Sequence, residues 1–345
     1  MKPFEKLFNK LFGDARNDKK EDAEHPSPQP VKRECPSFED DSSFIDIPSI
    51  DFFGQYTKSN SGEWAICWQD DSIENDQNID GRYVLYNRRD NTIAMQGRLE
   101  RPNNGHVANN GDFSLEDWHY GFGNELSGTL YVFSSKGKIL IQKRYHANIG
   151  NSAISESGRY AICQTSQNPD SEDGNRLTVF DTEKNTQLFS IHPPAMEWAD
   201  NFAFREDIQQ FGIVMNKIGT FYFDREGNFL DTEGYRFAML KSDNFYTILS
   251  AAGEMLKSTD FNKKTAEAVI DAVTRARANG KNKSDYQNAL ALKIQGQAYE
   301  FLGNLENTLE AFEKAIELNP KIGLKRKADA LRKKILEKQQ EGERR

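Results

Sequence analysis

Text that matches itself at a spacing of about 47 residues constrains this chain most, because a regular period means one structural unit made several times over. Ser61-Gly62-Glu63-Trp64-Ala65-Ile66-Cys67 returns as Ser157-Gly158-Arg159-Tyr160-Ala161-Ile162-Cys163, with Asn110-Gly111-Asp112-Phe113-Ser114-Leu115 at the equivalent place between them. A second landmark runs Arg82-Tyr83-Val84-Leu85-Tyr86, Thr129-Leu130-Tyr131-Val132-Phe133, Arg176-Leu177-Thr178-Val179-Phe180 and Thr220-Phe221-Tyr222-Phe223. Its closing aromatics, Tyr86, Phe133, Phe180 and Phe223, step by 47, 47 and 43 residues.

Each unit has a glycine turn, a short β-branched and aromatic strand, a polar loop and a strand ending in Asp, Asn or Ser. A turn such as Lys136-Gly137-Lys138 and a last strand such as Ile139-Leu140-Ile141 complete it. The pattern predicts a four-stranded antiparallel unit. Units of this size and content resemble the blades of a β-propeller of the WD-repeat-like kind, and the resemblance implies sheets that bury both faces around a central axis. The propeller-like domain is expected over residues 44–256, with four to five blades. Four are visible. A fifth could combine a strand at Phe245-Tyr246-Thr247-Ile248-Leu249 with the amino-terminal runs Phe44-Ile45-Asp46-Ile47 and Ile50-Asp51-Phe52-Phe53, which would remove exposed edges. Without that closure the sheets form an open stack that a partner or the helical tail must cover.

Past about Lys257 helix formers replace the aromatic strands, and Thr265 to Val273 is helical by propensity and period. Ala289 to Ile322 carries Leu292, Gly296, Tyr299, Phe312, Ala315 and Pro320, with Gly303-Asn304 as a turn. This segment resembles one tetratricopeptide repeat. Gly296 and Ala315 would let two antiparallel helices approach closely, Tyr299 and Phe312 would fill the space between them, and Pro320 would stop the second helix. The helical domain is expected over residues 260–340, with a degenerate neighbour at about 262–278 and a polar cap from Leu324 to Lys338. The fold class is thus β plus α and multidomain. By resemblance, the first-helix face around Lys293, Gln297 and Glu300 binds an extended peptide or a helix. Lys293 matches a residue that grips a terminal carboxylate in some members, and Gln297 stands where they have Asn. The rival reading of the tail is a helical cap or a dimerisation element.

The first 13 residues place Phe4, Leu7, Phe8, Leu11 and Phe12 on one stripe of an amphipathic helix that Gly13 ends. Three readings are open: an anchor in the membrane interface, where Lys2, Lys6 and Lys10 would favour anionic lipid; docking in a partner's groove; or packing on the rest of this chain. Residues 14–43, rich in proline and charge, read as a disordered linker.

Charge divides the same way. Residues 1–48 carry 8 Lys+Arg against 11 Asp+Glu, 49–254 carry 18 against 29, and 255–345 carry 19 against 13, which sum to the net −8. The basic runs Lys325-Arg326-Lys327 and Arg332-Lys333-Lys334 are diluted by Asp329 and Glu337 and lack interleaved aromatics, so no nucleic-acid partner is expected. Twenty-three Phe, 12 Tyr and 4 Trp suffice for a real core, and no run of apolar residues is long enough to span a bilayer. With no signal-peptide pattern at the start, a cytoplasmic location is the default.

Five histidines without metal-ligand spacing and three cysteines without a CxxC pair argue for neither a metal site nor a disulfide framework. No cofactor is expected. Asp112, Asp117 and His119 lie close in sequence and could do acid–base work or make turns, and Asp70-Asp71, Asp170 to Asp173 and Asp181 offer further carboxylates. Cys67 and Cys163, at one point of two repeats, read as small buried hydrophobes. The expectation is a non-enzymatic interaction scaffold, with peptide or helix capture by the tail and a second surface on the sheets. The rivals are a hydrolytic or sugar-acting enzyme at the propeller axis and a structural subunit that self-associates through the tail.

Overall fold

A computed structural model of the protein describes residues 36, 43–74, 77–119, 126–193, 198–279 and 283–343. The expected amphipathic segment 1–13 lies outside the described residues, as does nearly all of the expected linker 14–43.

The 47-residue period becomes four antiparallel sheets in chain order. The first contains β1 (Phe44–Ile47), β2 (Phe52–Lys58), β3 (Trp64–Gln69), then, beyond a small ribbon of β4 (Ser72–Glu74) and β5 (Gln77–Ile79), β6 (Gly81–Asn87) and β7 (Thr92–Leu99). The second runs β8 (Pro102–Val107), β9 (Phe113–Trp118), β10 (Gly128–Phe133) and β11 (Ile139–Tyr145). The third runs β12 (Ile149–Ile154), β13 (Tyr160–Thr165), β14 (Leu177–Asp181) and β15 (Thr186–Ile191). The fourth has β16 (Asn201–Arg205), β17 (Gln210–Met215) and β18 (Gly219–Phe223), and an isolated bridge from Phe223 to Phe229 stands where the others have a last strand.

Both landmarks have structural causes. Gly62, Gly111 and Gly158 sit two residues before a second strand with φ of 73°, 84° and 83°, a left-handed turn that glycine adopts without strain. In the fourth unit Gln209 takes this turn at φ 51°, two residues before Phe211, which is why the glycine landmark stops at three copies. Tyr86, Phe133, Phe180 and Phe223 all lie on the third strands and are all nearly inaccessible. Alternation along the strands sends Ile66 and Trp68 toward the second sheet, Leu130 and Val132 toward the third, and Ile162 and Val179 toward the fourth. The period also reappears as hydrogen bonds between neighbouring sheets. Thr57 Oγ1 donates to the Gly105 carbonyl at 2.6 Å, 48 residues on. Asn104 Nδ2 donates to Asn151 Oδ1 at 3.3 Å, 47 on. Asn151 Nδ2 donates to the Ala199 carbonyl at 3.0 Å, 48 on. Equivalent strands are thus pinned side by side along the stack.

The described residues do not form the expected fifth blade. Residues 245–249 are helical, and the amino-terminal strand β1 pairs with β2 inside the first sheet and not with the last one. Among the described residues the sheets form an open stack. Helices begin at Thr232, well before the expected boundary near 260: α1 (Thr232–Met239), α2 (Phe245–Met255), α3 (Lys263–Asn279), α4 (Asp285–Phe301), α5 (Leu305–Leu318) and α6 (Lys325–Glu343). One continuous core joins the third and fourth sheets to the first four helices, so Phe211, Ile213 and Phe223 share it with Tyr235, Ile248, Val269 and Ile294. A second helical core holds Leu292, Phe312, Ala315, Leu324 and Ala328.

Short loops make successive helices antiparallel neighbours. A Cβ on Gly296 would stand 2.5 Å from Cε1 of Phe312, so the close approach expected there is present. Phe312 is fully buried, whereas Tyr299 is only half-buried and turns to the other core. The strand expected at 245–249 loses to tertiary packing. Phe245, Ile248, Leu249, Ala252 and Met255 recur at helical spacing in the core that the helices share with the fourth sheet, and Asn244 caps the helix by accepting from the amides of Tyr246 and Thr247.

Candidate functional site

Lys293, Gln297 and Glu300 lie along one stripe of α4 that begins at Tyr286 and Leu290, each three or four residues from the next. Lys293 and Gln297 are half-buried. Glu300 is already engaged, since Lys327 Nζ of α6 donates to its carboxylate at 3.0 Å. The structure therefore keeps the three on one face but commits the third to a neighbouring helix.

The same stripe opens at its amino-terminal end into a groove of about 380 Å³ between α2 and α4. Phe245 and Leu249 form its floor with Leu290, while Tyr246 and Tyr286 stand on its rim with 53 % and 62 % of their surface exposed. The side-chain amide of Gln287 donates to the Tyr246 hydroxyl, which fixes one ring. Lys283 Nζ lies 4.6 Å from the centre of the Tyr246 ring and 5.2 Å from that of Phe245, so a positive charge borders an aromatic wall. Sequence reasoning missed Tyr246, Leu249 and Tyr286. The first two had been placed on a strand, but the spacing Tyr286, Leu290, Lys293, Gln297 carried the signal for the third.

Between the second and third sheets lies a polar constellation. Glu116 of β9 is fully buried, and its carboxylate accepts from Asn104 Nδ2 at 2.6 Å, Ser152 Oγ at 2.8 Å and Trp118 Nε1 at 3.0 Å. Burial pushes this carboxyl above the ordinary range although the three donors pull it down. With its oxygens engaged by fixed strands, Glu116 clamps the second sheet to the third. Asp117 and His119 are neighbours beside Glu100, whereas Asp112 stands apart with other partners. Asp112 accepts from the Ser135 amide and from Asn110, and Asp117 accepts from the Arg101 amide. His119 is held between Glu100 and Thr129, at 2.8 Å from each. Asp181 serves its own turn, accepting from the Lys184 amide, and Asp173 accepts from the amide of His146, 27 residues before it. A polar cleft of about 260 Å³ opens between the second and third sheets, with Lys138, Arg159 and Glu183 in its wall.

Cys67 and Cys163 are free, fully buried thiols at matching points of β3 and β13, and burial pushes both above the ordinary thiol range, Cys67 up to about 12. Among the described residues no three His, Cys, Asp or Glu side chains gather where they could hold a metal, and no helix is long and apolar enough to cross a membrane. Three basic residues of α6 make ion pairs: Arg332 with Glu313 and Asp329, Lys327 with Glu300, and Lys333 with Glu337.

No protein-family model matches the chain, and no curated protein matches it. Among solved structures it is similar to the Dos1 propeller, at 12% identity over 53% of this chain and 47% of that one, with a TM-score of 0.34. The β-propeller domain of the Trilobed protease from Pyrococcus furiosus matches at 12% identity, over 50% and 54% of the two chains, with a TM-score of 0.34. The periplasmic gluconolactonase PpgL of Pseudomonas aeruginosa matches at 10% identity, over 54% and 60%, with a TM-score of 0.31. The chain spans about half to three-fifths of the length of these structures. At such scores the four-sheet description stands on this chain's own ladders.

Proposed function

We propose that this protein is a non-enzymatic interaction scaffold whose helical module works as a tetratricopeptide-like receptor and holds an extended peptide or a helix in the groove between α2 and α4. The observation that carries this reading is the exposed pair Tyr246 and Tyr286 over the apolar floor of Phe245, Leu249 and Leu290. Amphipathic rings held in place by neighbours supply contact area at little entropic cost, which is why Tyr is enriched where proteins bind. Lys283 beside the wall and Lys293 further along the stripe favour a ligand that combines aliphatic residues with a carboxylate. The polar cleft between the second and third sheets is the best candidate for the second surface, so that one chain brings two partners together.

The test uses the full chain, because a fragment beginning at residue 255 would remove α2 and half the groove. Short peptides selected on the wild-type protein from a random display library are titrated against wild type and a Tyr246→Ala, Tyr286→Ala variant. A loss of tenfold or more in affinity with unchanged melting supports the reading. Equal binding by both proteins would overturn it.

A further inference from the structure

The groove between α2 and α4 is apolar along its floor, and its polar groups are mostly spoken for. Ser284 caps α4 by accepting from the Gln287 amide at 3.3 Å, and the Gln287 side chain closes that box by accepting from the Ser284 amide at 3.0 Å. The same Gln287 side chain donates to the Tyr246 hydroxyl, and Ser250 is engaged as well. Among the lining side chains, a ligand is left with the outward hydroxyls of Tyr246 and Tyr286, on rings more than half exposed, and with the apolar surface of Phe245, Leu249 and Leu290. The backbone of the ligand is constrained as a result. With 11 residues α2 is about 16 Å long, so an extended chain laid beside it would bring about five residues into the groove. Each would carry an N–H and a C=O, and those turned inward would be desolvated with too few partners. A helix satisfies these groups within itself and offers side chains alone.

We infer that the occupant of the groove is an amphipathic α-helix of a partner protein, with apolar residues at i, i+3 or i+4, and i+7 laid on the floor and acidic residues along its flank. The inference rests on the reading of this groove as a receptor and narrows its ligand from an extended peptide or a helix to the helix. Length agrees: three such anchors span about 10 Å of helix axis, inside the length of α2. So does charge. Lys283 Nζ stands at the mouth, 4.6 Å from the centre of the Tyr246 ring, and Lys293 lies beyond Leu290 on the same stripe of α4. The chain around them, residues 255–345, carries 19 Lys+Arg against 13 Asp+Glu, so a helix with a basic flank would be repelled where one with Asp or Glu is drawn in.

Peptides of about 16 residues, enough for four helical turns, are selected on the full wild-type chain from a random display library. Those that lose about tenfold or more in affinity on the Tyr246→Ala, Tyr286→Ala variant, with its melting unchanged, are the groove ligands. Each is resynthesised in two forms: with proline at its centre, which bars a helix there and permits an extended chain, and with two α-aminoisobutyrate residues on its polar side, which favour a helix. On wild-type protein the proline form is expected to bind at least about tenfold more weakly and the α-aminoisobutyrate form about threefold more tightly. Changing the Glu residues of the peptide to Gln should weaken binding to wild type and leave binding to a Lys283→Met, Lys293→Met variant unchanged. Proline forms that bind as tightly as their parents would overturn the inference and leave the receptor reading standing. If no selected peptide depends on the two tyrosines, the receptor reading falls and takes the inference with it. Self-association of the chain that the double tyrosine substitution abolishes would then assign the groove to a second copy. Because the proline comparison is made on unaltered protein, it holds whether or not a variant folds.

Discussion

The two ends of the sheet stack are treated differently. At the fourth sheet, Phe211, Ile213 and Phe223 run without a break into a core shared with Tyr235, Ile248 and Val269 of the helices, so sheet and helices form one hydrophobic body. At the first sheet, the cluster of Ile45, Ile47, Phe52 and Tyr56 draws its described members from that sheet alone. A ring of blades would give each sheet two equivalent neighbours. Here no strand among the described residues joins the first sheet to the fourth, and the fourth sheet has the helices as its cover. The tail is therefore the wall of the sheet domain, which ties the geometry of the groove to the integrity of the fourth sheet.

The most damaging way to break the helical end is Phe211→Ala. Phe211 is fully buried, with the rings of Tyr160, Phe189 and Phe204 around it, and its truncation is expected to cost about 3–5 kcal/mol. Melting followed by far-ultraviolet dichroism at helix and strand wavelengths should then shift as one transition. A smaller loss, about 1–3 kcal/mol, is expected for Gly296→Ala, where the new methyl would press on Phe312 in the outer helical core. That variant sharpens the comparison, because hydrogen exchange should speed up in α4 and α5 while the first sheet keeps its protection.

The smallest effect lies between the two ends. Burial pulls the His106 imidazole down to about 4, so the folded chain holds it neutral where the unfolded chain takes up a proton near pH 6.5. Below 6.5 the unfolded state binds more protons, and stability must fall as pH drops from about 6.5 to 4. Denaturant titrations of His106→Gln across that range should show a flatter profile than wild type.

Much of the sheet region could be read from the residues, and the reason is burial. Second strands such as Tyr160–Thr165 and third strands such as Leu177–Asp181 are covered on both faces, so they are written as short continuous apolar runs that repeat with the fold. The helix pair at Gly296 and Phe312 was legible for a similar reason, a steric fit that few residue types satisfy. Residues 245–249 misled because Phe-Tyr-Thr-Ile-Leu has high strand propensity, and only the longer series 245, 248, 249, 252, 255 reveals the helix face that joins the shared core. The groove was half legible. Lys293 and Gln297 declared their stripe, but the opposing wall of Tyr246 and Leu249 comes from a helix that had been assigned to the sheets. The commitment of Glu300 to Lys327 depends on the return of α6, which local spacing does not encode.

Native-state hydrogen exchange on Ile248→Ala tests the account most directly. Ile248 is buried in the core that α2 shares with the fourth sheet. If the helices are the wall of that sheet, amides of β17 and β18 should lose protection together with those of α2 and by the same free energy. Loosening of α2 alone, with the fourth sheet protected as in wild type, would mean that the sheets close without the helices and would contradict the account.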